Sequence, residues 1–125
     1  MTDDLMNPKA LADLAGTLAR FPSPQTDRME REPAVQNFIG QCIEPMLRGW
    51  GLATRRDAMG SLVTEIGPAD ARESVLVMTY AMTHPASSMR EPFAGELIST
   101  PQGAAVRGRG ISEQKGALAA ALAVL

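Results

Sequence analysis

The sequence predicts an α/β layered domain. Three observations carry that expectation: apolar residues at helical spacing in the first fifty positions, a nearly continuous apolar run at residues 74 to 80, and an alanine-rich helix at the end. Helical periods followed by a short, fully apolar segment mark helices packed on a sheet.

The elements follow in order. Asn7 before Pro8 has the form of an N-cap with proline in the first turn, and Leu11, Leu14 and Leu18 recur at helical spacing, which predicts a helix over residues 8 to 20. Phe21-Pro22-Ser23-Pro24 ends it, because proline lacks an amide donor and pushes the preceding residue out of helical geometry. A second helix is expected over 32 to 49, with Val35, Phe38, Ile39, Cys42, Ile43 and Met46 on one face. Pro45 should kink that helix or weaken its end, and Gly49 and Gly51 flank Trp50 as terminators.

Beyond residue 51 the period changes. Residues 52 to 56 and 61 to 66 read as short strands joined through Asp57 to Gly60, which has turn chemistry. Ser74 to Tyr80, SVLVMTY, has the composition of a central strand covered on both faces. Residues 81 to 94 read as a loop, and GELISTPQGAAVRG as a hairpin turning at Thr100 to Gly103. Ser112 is then expected to cap a helix reaching Leu125. GALAAALAVL is apolar nearly all round, so it calls for cover on most sides.

Composition bounds the function. A chain of 125 residues has room for one core. Its net charge of -2 gives no general electrostatic ground for nucleic acid or an anionic membrane as partner. A single cysteine, Cys42, makes no internal disulfide and fits a reducing compartment. The start, MTDDLMN, is acidic where a secretory signal is basic, and no apolar run reaches the ~18 residues of a membrane span, so a cytoplasmic chain is expected. Phosphate-loop, dinucleotide and nucleophile-elbow patterns are absent from the sequence.

Two places concentrate chemistry. In AVRGRGISEQKG, Gly108 and Gly110 let the backbone pass close to another group, and Glu113 falls in a first helical turn, where the dipole favours an ionised carboxylate. Such a carboxylate suits a divalent cation, with Lys115 to balance charge; an acid that only stabilises its own helix has the same signature. The second place is His84, the sole histidine, just past the carboxyl end of the apolar run, where open α/β sheets place ligands. A loop imidazole bonded to a backbone carbonyl is the alternative. In an extended segment Tyr80, Met82 and His84 share a side.

Taken together, the opening helix with FPSP, the Glu-rich lead into the second helix, the apolar strand, Pro92-Phe93-Ala94-Gly95-Glu96-Leu97, and Gly108-Arg109-Gly110 followed by Glu113, Lys115 and Gly116 resemble the amino-terminal third of a metallohydrolase family. That family comprises acetylornithine deacetylase, succinyl-diaminopimelate desuccinylase and glutamate carboxypeptidase. The resemblance implies a phosphorylase/hydrolase-like, zinc-peptidase-type layered domain with helices on a mixed sheet, of which residues 1 to 125 are the amino-terminal portion. It implies a divalent metal cofactor, zinc foremost with manganese or cobalt as alternatives, a small amide or peptide-like substrate, and a homodimer for the full-length protein.

In that family Gly-Arg-Gly-x-x-Asp-x-Lys-Gly carries the bridging aspartate, whose place Glu113 takes here. The upstream His-x-Asp is replaced, Tyr80 standing at the histidine and Met82 at the aspartate. Tyrosine binds zinc only after losing a proton with pKa near ~10, and a thioether is no carboxylate. One expectation is a variant hydrolase in which His84 becomes a metal ligand and Tyr80 a proton donor or outer ligand. Others are a one-metal enzyme and a noncatalytic or truncated relative acting as a binding module. The family's remaining ligands and general base come later in its sequence, so the 125 residues alone are expected to be inactive.

Overall fold

The computed structural model describes residues 7 to 125; the acidic start at residues 1 to 6 lies outside them. Helix α1, Pro8–Ala19, begins as its sequence dictates: Asn7 Oδ1 accepts from the Lys9 amide at 2.9 Å, and Pro8 occupies the first turn. Leu14, Ala15, Leu18 and Ala19 form its buried face. A short 3₁₀ turn, Met29–Arg31, leads to Glu32, whose side chain caps α2, Pro33–Phe38.

From Pro33 to Gly49 the helical path is continuous but not uniform. A π turn, Ile39–Ile43, separates α2 from α3, Glu44–Gly49. It ends just before Pro45, whose ring in a regular α-helix would collide with the carbonyl four residues back and whose missing amide would break the ladder. The wider turn accommodates the proline where a kink or a weakened end was expected. Val35, Phe38, Ile39, Cys42, Ile43 and Leu47 all remain buried on one side.

Strands β1, Thr54–Arg56, and β2, Leu62–Thr64, pair antiparallel with Arg55 opposite Val63. Asp57 organises their turn by accepting from the Met59 and Ser61 amides at 2.9 and 2.8 Å. β3, Glu96–Thr100, and β4, Gly103–Arg107, form the second hairpin, turning through Pro101 and Gln102 as the sequence indicates. Its start is held against α1: a Cβ on Gly16 would lie 2.7 Å from the Gly95 carbonyl oxygen, so the helix and the chain entering β3 meet backbone to backbone.

A final π turn, Ile111–Lys115, runs into α4, Gly116–Ala123, which packs against α1 and places Leu118, Ala119 and Leu122 in the core that also holds Val35 and Phe38 of α2. Burying these apolar side chains, at roughly 25 cal/mol per Å² of surface removed from water, is the main force joining the helices. Among the described residues no helix is long and apolar enough to cross a membrane.

The α/β class therefore stands, with a difference in the sheet. Residues 74 to 80 form no strand: Val75 is 90% and Leu76 82% exposed. A run apolar on both faces requires a ladder on its edges and cover above and below. Among the described residues the ladders are the two antiparallel hairpins and one parallel bridge, Pro24 to Thr83, that lies beyond the end of this segment.

Candidate functional site

The site is built where that bridge meets the Gly-Arg-Gly turn. The Thr83 amide donates to the Ser23 carbonyl at 2.9 Å, and the Gln25 amide donates to the Thr83 carbonyl at 2.8 Å. Ser23, fully buried, donates its hydroxyl to the Ala81 carbonyl at 2.6 Å. The proline-flanked segment that ends α1 thus fixes residues 81 to 83 and delivers His84 at their exit.

From the opposite side, Gly110 adopts φ +90° and packs on the Thr83 methyl, leaving no room for a side chain. Its carbonyl receives amides from Glu113, Gln114 and Lys115, the latter two at 2.9 and 2.7 Å. This left-handed residue starts the π turn and supplants the cap expected of Ser112, whose side chain makes no capping bond. Gly108 lies under Ala19 where two segments cross, and Gly116 closes the π turn against the Ile111 carbonyl, so neither position has room for a side chain.

Glu113 and His84 are brought together. Glu113 Oε2 accepts from the His84 amide at 3.3 Å and lies 3.8 Å from His84 Nε2. The carboxylate is largely covered, at 22% side-chain exposure, whereas the imidazole is 77% exposed. Arg109 Nη1 stands 3.7 Å from Glu113 Oε1, too long for a hydrogen bond, and among the described residues both Glu113 Oε1 and Arg109 Nε are buried without a hydrogen-bond partner.

Lys115 does not balance this charge in the manner expected. It turns inward and is fully buried, donating from Nζ to the Phe21 carbonyl and standing 4.4 Å above the Phe38 ring. Burial pushes its pKa down to about 8, against the opposing fields of Cys42 and Glu113. The same burial raises the Cys42 thiol, an effect that the lysine charge partly offsets. The cation nearest Glu113 is instead Arg109.

Tyr80 is 56% exposed, and no hydrogen bond or ion pair among the described residues joins it to Glu113 or His84. Met82 packs against the hydrophobic core. The anchoring roles of Ser23, Thr83, Phe21 and Phe38 had no signal in the sequence, because each depends on a contact with a distant segment.

The donor set can be tested against a divalent ion. Glu113 Oε2, which also accepts from the His84 amide, and the exposed His84 imidazole offer oxygen and nitrogen ligands that zinc, manganese and cobalt accept, whereas Oε1 is buried on the Arg109 side. These two residues fit part of a coordination shell. Among the described residues no group of three or more His, Cys, Asp or Glu side chains completes it. Comparison with protein-family models, curated proteins and solved structures returns no match to this chain.

Proposed function

We propose that this chain contributes the Glu113–His84 portion of a divalent-metal site in a hydrolase of amide, peptide or related C–N bonds. The observation that carries the reading is the convergence of the two residues at 3.8 Å, with Glu113 in the register of a Gly-Arg-Gly-x-x-[acid]-x-Lys-Gly motif. Glu113 and His84 would hold the metal, zinc foremost and manganese or cobalt as alternatives. When bound there, such an ion supplies Lewis acidity, which polarises a carbonyl and eases the deprotonation of water.

The chain's own residues do the positioning. Gly110 and the backbone around it fix the carboxylate, Arg109 lends it positive charge, and the Ser23–Thr83 pairing sets where His84 emerges. Two protein donors leave positions for water, for substrate and for ligands from further polypeptide. Tyr80 is assigned as proton donor or outer ligand. The wider reading includes a zinc-peptidase-type layered domain, a homodimer, and a cytoplasmic setting.

One observation favours a second reading. The exposed apolar run at Val75 to Met78 suits a noncatalytic binding module that a partner covers. Because His84 is the sole histidine, its imidazole proton resonances test the metal reading directly in a zinc titration. Saturable shifts of those resonances that vanish in Glu113→Gln support it; resonances indifferent to zinc leave the binding module.

A further inference from the structure

Lys115 is the one charged side chain fully buried among the described residues. Its ammonium has a single acceptor among them, the Phe21 carbonyl, with the Phe38 ring 4.4 Å away, and it enters no ion pair there. An ammonium has three donors, and one bond and one ring do not replace the water it gives up. A methionine of similar length fills such a place in a core without that cost. Packing alone therefore does not account for a charged end at this position.

What the ammonium joins accounts for it. Lys115 belongs to the π turn that carries Glu113, and its amide donates to the Gly110 carbonyl at 2.7 Å. Phe21 opens the segment Phe21-Pro22-Ser23-Pro24, where the Ser23 carbonyl accepts the Thr83 amide at 2.9 Å and the Ser23 hydroxyl donates to the Ala81 carbonyl at 2.6 Å. Pro22 and Pro24 fix their own φ and restrict Phe21 and Ser23 before them, so a displacement at Phe21 passes on to Ser23. The His84 amide, donating to Glu113 Oε2 at 3.3 Å, closes a path through Glu113, Lys115, Phe21, Ser23, Thr83 and His84. Gly110 on Thr83 limits how closely the two segments approach. One van der Waals contact leaves the turn free to pivot, and the directed bond from Lys115 removes that freedom.

We infer that Lys115 is a positioning residue: by tying the turn of Glu113 to the segment that supports His84, it holds the two side chains at the separation a shared ion requires. It acts through them and, being fully buried, does not itself meet ion or substrate. The inference rests on the proposed metal-site reading for its functional consequence, whereas the tether itself needs no ion.

The test compares the whole chain with Lys115→Met, which keeps the stem and removes the ammonium. Competition with a chromophoric chelator gives zinc affinity, and urea unfolding at neutral pH gives stability. The His84 amide resonance reports the geometry of the metal-free pair, since that amide donates to Glu113. Lys115→Met should be at least as stable as the unaltered chain, bind zinc roughly tenfold more weakly, and move the His84 amide toward its position in Glu113→Ala. A lysine that only supports the fold gives the reverse split: stability falls while zinc affinity and the His84 amide stay as they were. That result, or a variant that does not fold, would overturn the assignment. Rescue adds a second variant. Cys42 is the sole cysteine, so in a Cys42→Ala background Lys115→Cys can be aminoethylated while unfolded, which restores an ammonium on a stem of similar length. After refolding it should regain both zinc affinity and the original His84 resonance, and a folded product that regains neither would also count against the tether. If the unaltered chain binds no zinc while Lys115→Met still moves the His84 amide, the metal reading falls alone; zinc bound equally by both chains removes the positioning role alone.

Discussion

Gly110 rests directly on Thr83: a Cβ added to the glycine would run into the threonine methyl, with the Thr83 Cβ only 3.3 Å away. The loop bearing Glu113 and the segment bearing His84 are therefore registered by a contact between the residues that precede each of them. This contact, more than the short helix behind it, sets the geometry of the pair.

Gly110→Ala should consequently be costly. It forces a side chain into a left-handed backbone and into the Thr83 methyl, and about 2 kcal/mol or more of stability should be lost. Thr83→Ser, which removes the methyl, should restore only the steric part in the double variant. Urea unfolding of the single and double variants checks both statements; an unchanged midpoint for Gly110→Ala would contradict the contact.

The crossing of α1 over the entry to β3 predicts a second cost. Gly95 has φ +57°, and a Cβ there would strike the Gly16 carbonyl oxygen, whereas a Cβ on Gly16 meets the Gly95 oxygen at 2.7 Å. Alanine at either position should destabilise by about 1 to 3 kcal/mol, and Gly95→Ala should cost more because it adds backbone strain. Thermal unfolding that ranks Gly16→Ala as the worse would count against the crossing.

Lys115 predicts a pH dependence of stability with a definite sign. Its folded pKa, about 8, lies below the ordinary 10.5, so between these values the unfolded chain binds more protons at this site. Stability from this group is lowest when the buried ammonium is charged, and it rises as pH rises from about 8 to 10.5. The raised Cys42 thiol acts oppositely at high pH, so the comparison belongs in a Cys42→Ala background. There, Lys115→Met should abolish the rise. A rise that survives the substitution would assign it to another group.

Residues 74 to 80 give the clearest contrast between sequence and structure. Since Leu76 and Val77 are exposed, Leu76→Thr or Val77→Thr should change stability by no more than about 0.5 kcal/mol and lower any self-association, because fewer apolar side chains are left in water. Sedimentation and urea unfolding measure the two effects. A loss of several kcal/mol would mean that the segment is buried in solution.

The helices and hairpins were legible because their determinants are local. Asn7-Pro8, the apolar spacing of α1 and α2, the Asp57 turn and the Thr100 to Gly103 turn each act within a few residues. The segment at 74 to 80 is not legible in this way, for the opposite reason: a strand exists only with neighbours, and composition does not state whether they are there. The Glu113 end was half legible. Its motif marked the acid and the glycines, but the inward turn of Lys115 depends on Phe21 and Phe38, and the start of the π turn depends on the left-handed Gly110 rather than on a Ser112 cap.

The most direct measurement of the central claim is zinc affinity, by competition with a chromophoric chelator, for the chain, Glu113→Gln and His84→Ala. If both residues hold the ion, each substitution should weaken binding by at least roughly tenfold, the low end of what even outer partners of a metal site cost. Zinc binding that is undetectable in the unaltered chain, or that both variants retain in full, would contradict the account.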